Sequence, residues 1–190
     1  MKVLLPLLLL LAAPAAGALP LVRDGGFEAG VVPTFWTQTS SNFGSPLCDL
    51  AGCGGVGPRT GTFWSWFGGT TAAEVASLQQ VGEIPVGSTS LTFYVWWSSS
   101  VASPPDPAAT FIVKMDGNTI FTLTPATAAA YNTTYTQATV NIAAYANGAS
   151  HTLRFESSNG AAASATNIHV DDINIVAAPL PDPIFLNGFE

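Results

Sequence analysis

Runs rich in Val, Ile, Thr, Phe, Tyr and Trp recur along this 190-residue chain, separated by clusters of Gly, Pro, Asn and Ser. That is the pattern of an all-β protein. It predicts strands near 19–23, 34–39, 62–67, 75–84, 90–98, 108–115, 119–123, 135–142, 150–157 and 167–176. In the run 91–97, Leu91, Phe93, Val95 and Trp97 fall on one face, and Thr92, Tyr94 and Trp96 on the other, because strand side chains alternate. Asp116-Gly117-Asn118 joins two runs and predicts a tight hairpin, since Asp-Gly tolerates the positive φ of a type I′ turn. Helix signals are confined to short stretches at 125–130 and 142–146. So many strands in one chain argue for two antiparallel sheets stacked as a jelly-roll β-sandwich.

The ends of the chain read differently. Met1-Lys2, a Leu-rich stretch and Ala16-Gly17-Ala18 have the form of a secretory signal peptide over residues 1–18. The stretch is shorter than the roughly 20 residues a membrane span needs, and no later run is long enough, so no membrane insertion is expected. Residues 19–176 then form the sandwich, and 177–190 a Pro-rich linker and tail ending Ile-Phe-Leu-Asn-Gly-Phe-Glu. Five basic residues stand against twelve acidic ones, a formal net charge of −7. Such a surface repels phosphate backbones, which disfavours nucleic acid as a partner. Charged residues are 9% of the chain and hydrophobic ones 48%, which suits a secreted β-protein with a real core. In an exported chain, Cys48 and Cys53 read as one small disulfide loop, worth about 2 kcal/mol by the chain-entropy account.

Candidate chemistry falls into two groups. Asp24-Gly25-Gly26-Phe27-Glu28 and His169-Val170-Asp171-Asp172 place acids beside strand-like apolar residues at opposite ends of the β-rich segment. A buried carboxylate is costly unless it is partnered. Either a shared cation or hydrogen bonds at the strand ends would supply the partner. The second group is aromatic. Sugar rings present C–H faces to indoles, so Trp64, Trp66, Tyr94 and Trp96 are candidate ligand contacts, while the same residues would serve equally as core. Tyr94 and Trp96, opposite the apolar face of their strand, are the better surface candidates. No catalytic residue is expected. Adjacent Asp171 and Asp172 point to opposite faces of a strand, and neither a nucleophile elbow nor a metalloprotease motif is present.

Asp-Gly-Gly-Phe-Glu near residue 24, Gly61-Thr-Phe-Trp-Ser-Trp-Phe-Gly-Gly69, Val75-Ala-Ser-Leu-Gln-Gln-Val81 and Val170-Asp-Asp-Ile-Asn-Ile175 together resemble the galactose-binding-like jelly rolls. The similarity is to carbohydrate-binding modules of families four and twenty-two and their secreted bacterial relatives. It implies a structural calcium ion held by Glu28 and Asp171, with Asp172 as the alternative; since calcium takes six to eight oxygens, Asp24 and Glu74 are candidates for further ligands. It also implies a non-catalytic, extracellular carbohydrate-binding module that meets a polysaccharide or glycan surface. The alternative is a structural or adhesive protein that uses the same sandwich for protein contacts.

Overall fold

The computed structural model describes residues 19–32 and 35–177. The signal-peptide reading and the tail beyond Ala177 lie outside them. Ten strands are seen among the described residues: β1 (Thr37–Ser40), β2 (Leu47–Asp49), β3 (Phe63–Gly68), β4 (Glu74–Glu83), β5 (Ser88–Trp97), β6 (Thr110–Met115), β7 (Asn118–Leu123), β8 (Thr136–Asn141), β9 (Ser150–Asn159) and β10 (Asn167–Ala177). They form two five-stranded antiparallel sheets, in the orders β1-β4-β9-β6-β7 and β2-β3-β10-β5-β8. We call these the first and second sheets. The two short helical signals become single 3₁₀ turns at Ala128–Tyr131 and Ala143–Tyr145. No described helix is long and apolar enough to cross a membrane.

The alternation in β5 decides how the sheets meet. Leu91, Phe93, Val95 and Trp97 are fully buried between them, and Ile168 and Val170 of β10 join from the neighbouring strand. The first sheet answers with Leu78, Phe111, Val113, Leu153 and Phe155. Phe93 meets Phe155 edge-on at 5.3 Å between centroids, a favoured aromatic arrangement. Asp116 and Gly117, at φ 51° and 80°, turn β6 into β7 with Met115 opposite Asn118, the two-residue hairpin expected from Asp-Gly.

The expected strand at 19–23 does not form. Pro20 makes an isolated parallel bridge to Glu83, and the ladder is limited to Leu21 N–H to the Glu83 carbonyl and Glu83 N–H to Leu19. Proline contributes no N–H, and Asp24 at φ 58° ends the extended run. Conversely, β2 carries no alternation long enough to notice, yet it closes the edge of the second sheet beside β3.

Candidate functional site

The outward face of the second sheet gathers the aromatic residues. β3 contributes Trp64 and Trp66, β10 contributes His169 and Asp171, and β5 contributes Tyr94 and Trp96. These strands are paired so that His169 lies opposite both Trp66 and Trp96. Its ring is 5.2 Å from Trp66, 6.0 Å from Trp96 and 6.5 Å from Tyr135, which precedes β8. All four predicted aromatic contacts therefore share one face, but they are not equally reachable. Trp64 is fully buried, whereas Trp66, Tyr94 and Trp96 are half-buried.

A strap, residues 53–60, crosses this face over Trp66, Tyr135 and Tyr94. Its start is tied to β2 by the Cys48–Cys53 disulfide. Gly55 then lies against the Trp66 indole: a Cβ there would come within 2.9 Å of Cζ3, and the residue sits at φ 77°. The Gly57 carbonyl accepts a 2.9 Å hydrogen bond from the Tyr135 hydroxyl. The Arg59 guanidinium covers the ring of Tyr94 at 3.4 Å. The backbone N–H groups of Arg59 and Thr60 donate to Asp171 at 2.8 and 3.2 Å. The side chains of Arg59 and Thr60 reach Asp172 at 2.5 and 2.7 Å. Arg59 carries no periodic signal in the sequence, and Tyr135 only opens an expected strand; the glycine-rich run after Cys53 is the one local hint to the strap.

His169 lies beneath the strap, and its partners fix its chemistry. The Trp64 indole N–H can only donate, so at 3.2 Å it makes Nδ1 the acceptor. A neutral imidazole then carries its proton on Nε2, which faces the Ser98 hydroxyl at 3.0 Å. Burial lowers the His169 pKa to about 3 and keeps the ring neutral. With Nε2 protonated, His169 cannot take the proton of Ser98, so this pair is not an activated nucleophile.

The acidic motifs do meet, as the shared-partner argument expects. The turn at 24–28 docks on β10 where that strand is irregular, and the Ile173 N–H donates to the Gly25 carbonyl at 2.9 Å. A side chain at Gly25 would collide with the Ile173 carbonyl. Yet each acid already has protein donors. Glu28 accepts from the N–H groups of Thr62 and Phe63 at 2.9–3.0 Å. Asp24 accepts from Ala29 at 3.2 Å. Asp171 accepts from Arg59, Thr60 and Asp172 N–H, and Asp172 is paired with a guanidinium. Glu74 is held elsewhere, by Ser40, Ser41 and Asn42. Burial raises the Asp171 pKa to about 7, against the pull of its N–H donors. Calcium requires six to eight oxygen ligands. Among the described residues no three His, Cys, Asp or Glu side chains are grouped as a metal cage, and a cationic side chain already neutralises Asp172.

Trp66 also lines a pocket. It is about 470 Å³ in volume and opens at the β2–β3 edge. Val31, Phe43, Leu47, Trp66 and the Cys48–Cys53 disulfide are among the residues that line it. That volume falls in the roughly 300–1,000 Å³ range of small-ligand sites. The indole is held in place by an Nε1–H bond of 3.0 Å to the Asn167 side chain. Gly69, at φ 74°, approaches within 3.1–3.3 Å of the same ring by its Cβ position, so a larger residue there would push the indole aside. Among the described lining residues none is charged.

No protein-family model matches the chain, and neither does any curated protein sequence. Solved structures do resemble it. TmCBM61, determined in complex with beta-1,4-galactotriose, matches at TM-score 0.57 and 14% identity over 84% of this chain and 99% of that one. The K1 cleaved adhesin domain of Lys-gingipain from Porphyromonas gingivalis W83 matches at 0.52 and 14%, over 80% and 96%. The enzymatically active domain of tailspike protein 4 of bacteriophage CBA120 matches at 0.52 and 10%, over 84% of this chain and 21% of that one. At these identities the likeness is one of fold alone: the chain is a two-sheet antiparallel jelly-roll β-sandwich.

Proposed function

We propose that this protein is a secreted, non-catalytic carbohydrate-binding protein whose ligand enters the pocket beside Trp66. The observation that carries this reading is the Trp66 indole, fixed by Asn167 and partly exposed in a pocket of about 470 Å³ whose described lining residues carry no charge. An immobilised indole offers a flat apolar face to the C–H side of a pyranose at little entropic cost. Two further points support it. The leader-like start and the Cys48–Cys53 disulfide suit an oxidising compartment. The fold is shared with a module solved in complex with beta-1,4-galactotriose. Calcium is not part of this reading, because Arg59 and backbone N–H groups already serve the acids that would bind it.

The test is a glycan array probed with the purified protein and with Trp66→Ala. Retention on neutral glycans that Trp66→Ala abolishes supports the reading. A blank array on folded protein refutes it. One observation favours a second reading, an adhesive protein that makes protein contacts. Val31, Val32, Phe35 and Phe43 are all exposed near the pocket mouth or the segment leading to it, with Val32 at 87%. A blank array would leave that reading standing.

A further inference from the structure

Trp66 carries the proposed site, so whatever orients its indole decides how ready that site is for ligand. The indole Nε1–H donates to Asn167 Oδ1 at 3.0 Å. An amide side chain can lie either way round, and only its oxygen can accept that bond. Which end meets the indole is decided on the far side of Asn167. There Nδ2 faces the Ala165 carbonyl at 3.2 Å, and a carbonyl oxygen only accepts. Turned over, Asn167 would set Oδ1 against that carbonyl and Nδ2 against the indole N–H, and both bonds would be lost.

Ser99 ties this arrangement together. It lies two residues beyond the end of β5 and is buried. Its hydroxyl donates to the Ala165 carbonyl at 3.2 Å. The same oxygen accepts from the Asn167 backbone N–H at 2.6 Å and from Nδ2 at 3.4 Å. One hydroxyl thus holds the main chain of Asn167, its side-chain amide and the carbonyl that orients that amide. The neighbouring Ser98 hydroxyl meets His169, whose ring stands 5.2 Å from Trp66. Two consecutive serines therefore reach the two polar neighbours of the indole. Ser99 itself is not among the described residues that line the pocket.

We infer that Ser99 is a positioning residue for the Trp66 site: acting through Asn167, from outside the described lining, it holds the indole in the orientation that receives a sugar ring. This rests on the carbohydrate reading above. An indole that is free to turn has to be ordered by the ligand itself, which weakens binding. The experiment is nitrogen-15 spectroscopy of the free protein, followed by glycan titration, on wild type, Ser99→Ala and Ser99→Thr. In Ser99→Ala the Trp66 indole N–H should move upfield and exchange faster with solvent, while the Trp64 and Trp97 indoles stay where they are. Affinity for the neutral oligosaccharide that wild type retains most strongly should fall about fivefold. Ser99→Thr keeps the hydroxyl and should restore both. In wild type the Asn167 Nδ2 protons should exchange slowly, a measurement that needs no variant and so tests the network even if Ser99→Ala does not fold. An unmoved Trp66 indole in folded Ser99→Ala, equal movement of all five indoles, unchanged affinity beside a displaced indole, or fast-exchanging Nδ2 protons would overturn the inference and leave carbohydrate binding intact. A Trp66 indole that answers to Ser99→Ala in a protein that binds no glycan would keep the orienting network and remove the sugar from it.

Discussion

The guanidinium carbon of Arg59 stands 3.4 Å above the ring of Tyr94, and the same side chain pairs with Asp172 at 2.5 Å. One loop residue thus touches both β5 and β10 and fastens the strap at its far end. A cation–π contact at a partly exposed site contributes about 0.5–1 kcal/mol and a partly exposed ion pair about as much or less. Arg59→Ala is expected to lower unfolding stability by about 1–2 kcal/mol. Arg59→Lys, which keeps the charge but loses the planar stack, should recover part of it. Urea unfolding followed by tryptophan fluorescence measures both. Stability unchanged in Arg59→Ala would mean that the strap is held by its backbone bonds alone.

The same clasp bears on metal dependence. With Glu28, Asp24, Asp171 and Asp172 all served by protein donors, a chelator should leave the melting temperature where it is, and added calcium should not raise it. A clear fall with chelator, restored by calcium, would show that the acids take a different arrangement around an ion.

The buried imidazole makes stability depend on pH in a defined direction. In the folded chain the His169 pKa is about 3, against an ordinary 6.5, so between those values the unfolded chain binds a proton that the native chain refuses. Its contribution to stability is therefore lost as pH falls from about 6.5 toward 3. Asp171, raised from 3.8 to about 7, acts oppositely: the native chain keeps a proton the unfolded chain releases, so stability falls as pH rises through that window. The two slopes oppose each other in the wild type. His169→Gln removes one of them and should leave stability that falls with rising pH from about 4 to 7. Urea midpoints at unit pH steps test this, and profiles that run parallel in the two proteins would contradict it.

The Cys48–Cys53 link closes a short loop and also forms a wall of the pocket. Replacing both cysteines by serine should cost about 2 kcal/mol of stability by the chain-entropy account, and should weaken glycan binding more than it weakens the core. Calorimetry on the double variant separates the two effects. Full glycan affinity in the double variant would take the disulfide out of the site.

Much of this architecture was legible in the chain. Alternation placed Phe93 and Val95 inward and Tyr94 and Trp96 outward, and Asp116-Gly117 announced the β6–β7 turn. The two acidic motifs were also readable as partners across the fold. Trp64 and Trp66 show where reading stops. A period of two puts both on one face, but Trp64 is fully buried beside His169 while Trp66, against the strap at Gly55, stays partly open. The strap has no periodicity, and its contacts to Tyr94, Tyr135 and Asp171 are long-range, so no local pattern records them. The extended look of residues 19–23 misled for a local reason: Pro20 gives no ladder donor, and Asp24 turns the chain away.

The central claim is that ligand enters beside Trp66 and not across Tyr94 and Trp96. Five indole N–H resonances in nitrogen-15-labelled protein report on it directly, titrated with the neutral oligosaccharide bound most strongly on the array. The account predicts shifts at the Trp66 indole and at the Gly52, Cys53 and Gly69 amides, with Trp64 and Trp96 unmoved. Shifts centred on Trp96 and Arg59, with Trp66 unmoved, would contradict it.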